Sequence, residues 1–170
     1  LFSGDDKLLT TIIHFFEEQG FTVIGAHEIC ADLVAEFGIL TRAKPDKVAK
    51  SDRELGVSLL SAISPYDVGQ AVVIYHGQVL GIEGREGTAD LITRCAALKE
   101  GEGGVLVKKC KVGQERRVDM PAVGVATIAA LSAGGYAGLY IGAGSTLMLG
   151  RDAMIDAANK AGLFVEGIIE

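Results

Sequence analysis

The sequence predicts an α/β fold: a mixed sheet with helices on its faces, forming a single layered domain. Stretches of helical period alternate with short apolar runs along the whole chain. Twenty-three glycines against three prolines point to tight turns and close backbone approach. One hairpin signal, centred on His76-Gly77, requires an antiparallel pair within that alternation. At 170 residues the chain fits one domain and is long enough to bury its own core.

The elements are expected in this order. Leu8, Leu9, Ile12, Ile13, Phe15 and Phe16 share one side of a helix, with Asp5 or Asp6 as cap and Gly20 as terminator. Phe21–Ile24 reads as a short strand, His27–Phe37 as a helix ended by Gly38, and 41–50 as a polar loop. Ser51–Ile63 is helical in period and stops at Ser64-Pro65. The hairpin strands are Gln70–Tyr75 and Gln78–Glu83. Thr88 is expected to cap a helix over Ala89–Leu98, and Val105–Lys108 to form a strand after the Gly101, Gly103, Gly104 connector. Ala122–Ser132 reads as helix, Ala137–Ile141 and Thr146–Leu149 as strands. Asp152 caps a helix to Ala161, and Leu163–Val165 closes the order.

Several classes of function are excluded. A net charge of -6, 6% aromatic residues and no tryptophan argue against nucleic-acid binding. Met120–Gly150 carries no charge and is long enough to span a bilayer, but Pro121 and repeated glycines divide it, so a buried core is the reading. Cys30, Cys95 and Cys110 form no CxxC or zinc spacing and read as reduced, mostly buried thiols of a cytoplasmic protein. The chain starts at Leu1 without a leader and reads as a piece of something longer. His14, His27 and His76 lie far apart, and no GxSxG or phosphate-binding GxxxxGK[ST] loop occurs.

Chemistry concentrates in the segment from Lys108 to Pro121. It carries a charge of +3 while the rest of the chain carries -9. Arginine and lysine bind phosphate oxygens through charged hydrogen bonds, and Glu115 and Asp119 among them are hard ligands for a cation of the Mg²⁺ type or a base for water. The competing reading is a surface loop laced with ion pairs. A second acidic group, Glu83, Glu86 and Asp90, follows the hairpin; Asp90 and Arg94 are spaced for a helical ion pair.

Taken together, Asp67-Val68-Gly69-Gln70, Glu86-Gly87-Thr88, Arg94 and the KxxKxxQxxRxDxP block from Lys108 to Pro121 resemble the LpxI family. The opening Ser3-Gly4-Asp5-Asp6, Gly104–Lys108 and Gly162–Gly167 fit as well, so the resemblance covers almost the whole chain. It implies Mg²⁺-dependent hydrolysis of UDP-2,3-diacylglucosamine to UMP and 2,3-diacylglucosamine 1-phosphate in lipid A biosynthesis. It also implies an N-terminal nucleotide-binding-like domain that this chain lacks, and peripheral contact with the cytoplasmic face of a Gram-negative inner membrane. A homodimer is left open. Matched residue by residue, Asp119 and Glu115 are the expected catalytic carboxylates, and Asp119, Glu115 and Asp90 the metal ligands. Lys108, Lys111, Gln114, Arg117, Glu86, Thr88, Arg94 and Gln70 are the expected substrate-binding residues.

Three departures from the family pattern matter. Glu115 stands for the usual aspartate after Gln114, and Val112 replaces a proline whose fixed φ would stiffen the loop. Asp90 falls one residue later than the family's acid, a rotation of about 100° on a helix. They motivate the alternative reading, a catalytically weak or inactive relative that binds a nucleotide sugar or a lipid headgroup.

Overall fold

The computed structural model describes residues 5–169. Helix α1 spans Asp5–Glu18 and ends where Gly20 takes φ +86°, letting Gly20 N–H and Phe21 N–H donate back to the Glu17 and Phe16 carbonyls. The capping expected of Asp5 or Asp6 lies outside the described side chains. Of the apolar residues on α1, Ile13 is buried, while Leu8, Ile12, Phe15 and Phe16 are exposed.

The segment after α1 differs most from expectation. Residues 21–25 form no strand; Phe21 and Ile24 are exposed and pair with nothing in a sheet. The expected helix over 27–37 is reduced to one turn, α2 (Ala26–Ile29), and a 3-10 turn at Ala31–Leu33. Its backbone is diverted into tertiary pairing: Val34 bridges Leu147, Ala35 N–H donates to the Thr146 carbonyl, and the Ala35 carbonyl accepts from Gly144. Strand β1 (Gly38–Ile39) follows.

Helix α3 (Lys47–Ile63) starts four residues before its expected beginning, because the Asp46 carboxylate caps the Ala49 N–H at 2.8 Å. The hairpin β2 (Ala71–Tyr75) and β3 (Gln78–Ile82) forms as read, with His76 and Gly77 at φ +50° and +80° in the turn. Asp52 of α3 accepts both turn N–H groups. Helix α4 (Gly87–Ala96) is followed by β4 (Val105–Lys108). The next expected helix loses its first three residues to β5 (Ala122–Gly124), which pairs in parallel with β7 (Leu147–Leu149), and continues as α5 (Val125–Ala133). β6 (Gly138–Gly142), α6 (Arg151–Ala161) and β8 (Phe164–Ile168) complete the unit. Asp152 lies in the first turn of α6 rather than at its cap, which is Gly150.

The main sheet has six strands in the order β1-β8-β6-β4-β2-β3, with β4, β6 and β8 mutually parallel and the other pairings antiparallel. Alternation along the strands feeds two cores. Val73, Leu106, Leu139 and Val165 meet Leu91, Cys95, Leu131 and Met154 of α4, α5 and α6 on one face. Val72, Val105, Val107, Tyr140 and Phe164 meet Ala49 and Leu60 of α3 on the other. Among the described residues, no helix is long and apolar enough to cross a membrane, and the uncharged stretch 120–150 contributes Val123, Ile128, Leu131, Leu139, Ile141 and Met148 to the core. Cys95 and Cys110 are buried and Cys30 is exposed; all three are thiols outside any disulfide among the described residues.

Gly138 sits where β6 and β8 leave no room: a Cβ there would lie 2.5 Å from the Phe164 carbonyl oxygen. Gly138→Val is therefore expected to lower stability by more than about 2 kcal/mol, read as a shifted urea midpoint.

Candidate active site

The site is built on the end of β4, in the middle of the main sheet. Lys108 follows Leu106 onto the α4 face, and its side chain is 7% exposed. A buried ammonium needs acceptors, and this one donates to the Thr88 hydroxyl at 2.6 Å and stands 3.8 Å from Glu83 Oε1. Thr88 in turn donates to Glu83 Oε1 at 2.5 Å, and Glu83 Oε2 accepts the Gln70 N–H at 3.0 Å. Burial pulls the Lys108 ammonium below its ordinary pKa, opposed by the carboxylates of Glu83 and Asp119. Residues from the start of β2, the exit of β3, the first turn of α4 and the end of β4 thus meet at one point. Thr88 is not the cap of α4; its hydroxyl is committed to Glu83 and Lys108.

The loop after β4 is folded on itself by Gln114. Its Oε1 accepts from the Cys110 thiol at 3.0 Å and from Lys111 N–H at 2.9 Å, while its Nε2 donates to Asp119 Oδ2. Lys111 Nζ reaches Asp67 Oδ1 at 2.5 Å, so the turn before β2 and the cationic loop are tied together. Val112 N–H donates to Ser64 Oγ at 2.7 Å, a bond that a proline at this position has no hydrogen to make. The loop is thus anchored here through the departure that was expected to loosen it.

Glu115 and Arg117 form a fork. Arg117 Nε and Nη2 donate to the two carboxylate oxygens at 2.9 and 2.8 Å, and Arg117 N–H adds a third bond at 3.1 Å. The Arg117 guanidinium holds the Glu115 carboxyl well down, to about 2. Arg117 Nη1 reaches Glu17 of α1 at 2.6 Å, and Arg116 donates to the Gly144 carbonyl. The loop is laced with ion pairs, and the charge of Asp119 acts on the buried Lys108.

The remaining expected residues lie apart from that cluster. Asp90 is exposed on the first turn of α4. Arg94 pairs with Glu86 at 2.9 Å, not with Asp90, and also donates to the Ile82 carbonyl. Among the described residues, no three His, Cys, Asp or Glu side chains are grouped as if to hold a metal ion. Sequence reasoning groups Glu83 with Glu86 and Asp90 as a second acidic group but does not place it among the site residues. Asp67, at φ +53° in the turn before β2, also binds Lys111. Lys109 was missed too: it points to the opposite face, where Ser61 Oγ accepts its ammonium at 3.1 Å near the negative end of α3.

The model of the LpxI C-terminal domain family matches residues 36–166. The chain belongs to the LpxI family. UDP-2,3-diacylglucosamine pyrophosphatase LpxI of Caulobacter vibrioides is 38% identical over 172 aligned positions, which cover 97% of this chain and 61% of that protein. The chain thus spans less than two thirds of the length of that LpxI relative. The match with the LpxI family model begins at residue 36, so α1 and α2 lie before it.

Two outcomes follow from this geometry. Lys108→Met leaves Glu83 buried without its cation and should cost about 3 kcal/mol in urea unfolding, with Glu83→Gln in the same chain recovering part of the loss. Glu115 contributes stability that is complete above its ordinary value of 4.5 and lost as the pH falls through about 2. Glu115→Gln should flatten the unfolding midpoint across that acid window.

Proposed function

We propose that the full protein hydrolyses UDP-2,3-diacylglucosamine with Mg²⁺, releasing UMP and 2,3-diacylglucosamine 1-phosphate, as a step of lipid A synthesis. The observation that carries this reading is the meeting of Lys108, Thr88, Glu83 and Gln70 at the end of β4, with Lys108 under the charge of Asp119 in an LpxI family domain. In this reading water attacks the phosphorus on the uridine side. Its oxygen bonds to that phosphorus, the bridging P–O bond breaks, and the sugar 1-phosphate leaves with the electron pair. Asp119 takes the proton from water, held in position by Gln114. Lys108 offsets charge gathering on the diphosphate from a dry position, where electrostatic interactions are strongest. Lys111, Gln114, Arg117, Glu86, Thr88, Arg94 and Gln70 are the proposed substrate contacts, the Glu86–Arg94 pair lying at their edge.

The donor chemistry fits Mg²⁺. The ion takes one or two protein carboxylates and leaves its other positions to phosphate and water, so a three-carboxylate cluster is not required. Asp119 would hold it, and Gln70 Oε1, a buried hard oxygen with no hydrogen-bond partner, belongs to the residue that binds Glu83 in the Lys108 cluster. Bound there, the ion supplies charge neutralisation and a more acidic water. Glu115, with both oxygens in the Arg117 fork, and Asp90, exposed on α4, are the weaker members of the ligand set. Those two positions favour the second reading, a relative that binds the nucleotide sugar with little turnover.

A preceding nucleotide-binding-like domain is proposed to complete the cleft, and the acyl chains of the substrate to bring the cytoplasmic protein to the inner-membrane surface. UMP release by the full-length protein should require Mg²⁺ and fall at least about 100-fold in Asp119→Asn, which keeps shape and removes charge. Tight UDP-sugar binding with no UMP under any divalent metal would replace the enzyme by the binding relative.

A further inference from the structure

We propose that Glu17 of α1 is a positioning residue for Asp119, acting through Arg117 from a helix that lies before the segment matched by the LpxI C-terminal domain model. The inference rests on the hydrolase reading above and names a part of its machinery that the block around Asp119 does not contain.

The chain of contacts is continuous. Glu17 Oε1 accepts from Arg117 Nη1 at 2.6 Å. The other two guanidinium nitrogens and the Arg117 N–H are occupied by the Glu115 carboxylate. The Glu115 carbonyl accepts from Val118 N–H at 3.3 Å and from Asp119 N–H at 3.0 Å, closing the turn that carries Asp119. Arg117 therefore grips the turn through Glu115 and is itself gripped from outside the loop by Glu17. A second, separate contact sets the same docking. Gly25, buried just before α2, packs so closely on Arg117 that a Cβ there would lie 3.1 Å from the Arg117 Cα.

Glu17 and Arg117 are 35% and 29% exposed at their side chains, so their ion pair adds little to global stability. Its effect is geometric. A guanidinium fixed at all three nitrogens has one orientation, whereas one held by Glu115 alone can swing with the turn. Misplacing a catalytic group by about 1 Å costs on the order of 100-fold in rate, so a modest loosening suffices.

The test uses the full-length protein with Glu17→Ala, Glu17→Gln and, as a control ion-pair loss elsewhere, Glu36→Ala, which breaks the pair with Arg151. Two readouts are taken: amide hydrogen exchange across residues 115–119, and kcat and KM for UMP release. Glu17→Ala should speed exchange at 115–119 at least tenfold, leave β4 and β6 protected, and lower kcat about tenfold with KM nearly unchanged. Glu17→Gln, which keeps an acceptor for Arg117, should fall between, and Glu36→Ala should match the parent in both. Unchanged exchange in Glu17→Ala overturns the proposal, and so does faster exchange with unchanged kcat. A parent protein that binds UDP-sugar but releases no UMP refutes the hydrolase reading instead. Exchange at 115–119 then decides whether Glu17 holds the turn.

Discussion

A lysine ammonium at the end of a central strand, shielded from water on both sides of the sheet, cannot persist unless acceptors are brought to it. Lys108 is in that position, and much of the surrounding architecture can be read as the answer. β3 must end where Glu83 reaches it, α4 must begin where Thr88 can bridge the two, and the chain entering β2 must offer Gln70 N–H to the second oxygen of Glu83. Because β2 runs antiparallel to β4, its first residue pairs with Lys108 at the same end of the sheet. Topology and charge compensation therefore agree on one location, and segments 20 to 40 residues apart in sequence become neighbours there.

The alternative to such an arrangement is a lysine that gives up its proton. Burial pulls Lys108 in that direction and the two nearby carboxylates oppose it, so its charge state is a balance set by the packing of α4 on the sheet. Any change that moves α4 acts on this balance first, since Thr88 stands between the cation and Glu83. The core of that face, built from Leu91, Ile92 and Cys95 against Val73 and Leu106, is thus as much a part of the site as the polar residues above it.

Elements governed by local chemistry were legible in the sequence. The His76-Gly77 hairpin, the Gly20 terminator and the stop at Ser64-Pro65 were read from residues whose backbone preferences decide the matter on the spot. Where long-range pairing decided, local reading failed. Val34 and Ala35 leave their expected helix to pair with the turn at 144–147, and Ala122–Gly124 leave theirs to lie beside β7. The site divided the same way. The cationic loop stood out by charge, and the pieces around it by family resemblance. Glu83 was noticed only as one of an acidic group, because its importance comes from what is buried opposite it, and Glu17 was passed over because its partner lies 100 residues away.

The cationic loop has a further consequence, for the way an anionic ligand is met in solution. Lys108, Lys111 and Arg117 each already stand against a carboxylate, and Arg116 against a carbonyl. In the proposed reading an arriving diphosphate would meet cations already paired within the protein instead of a bare basic patch. Encounter is then governed by fit more than by long-range attraction, and rising ionic strength should slow it far less than the +3 charge of this segment suggests.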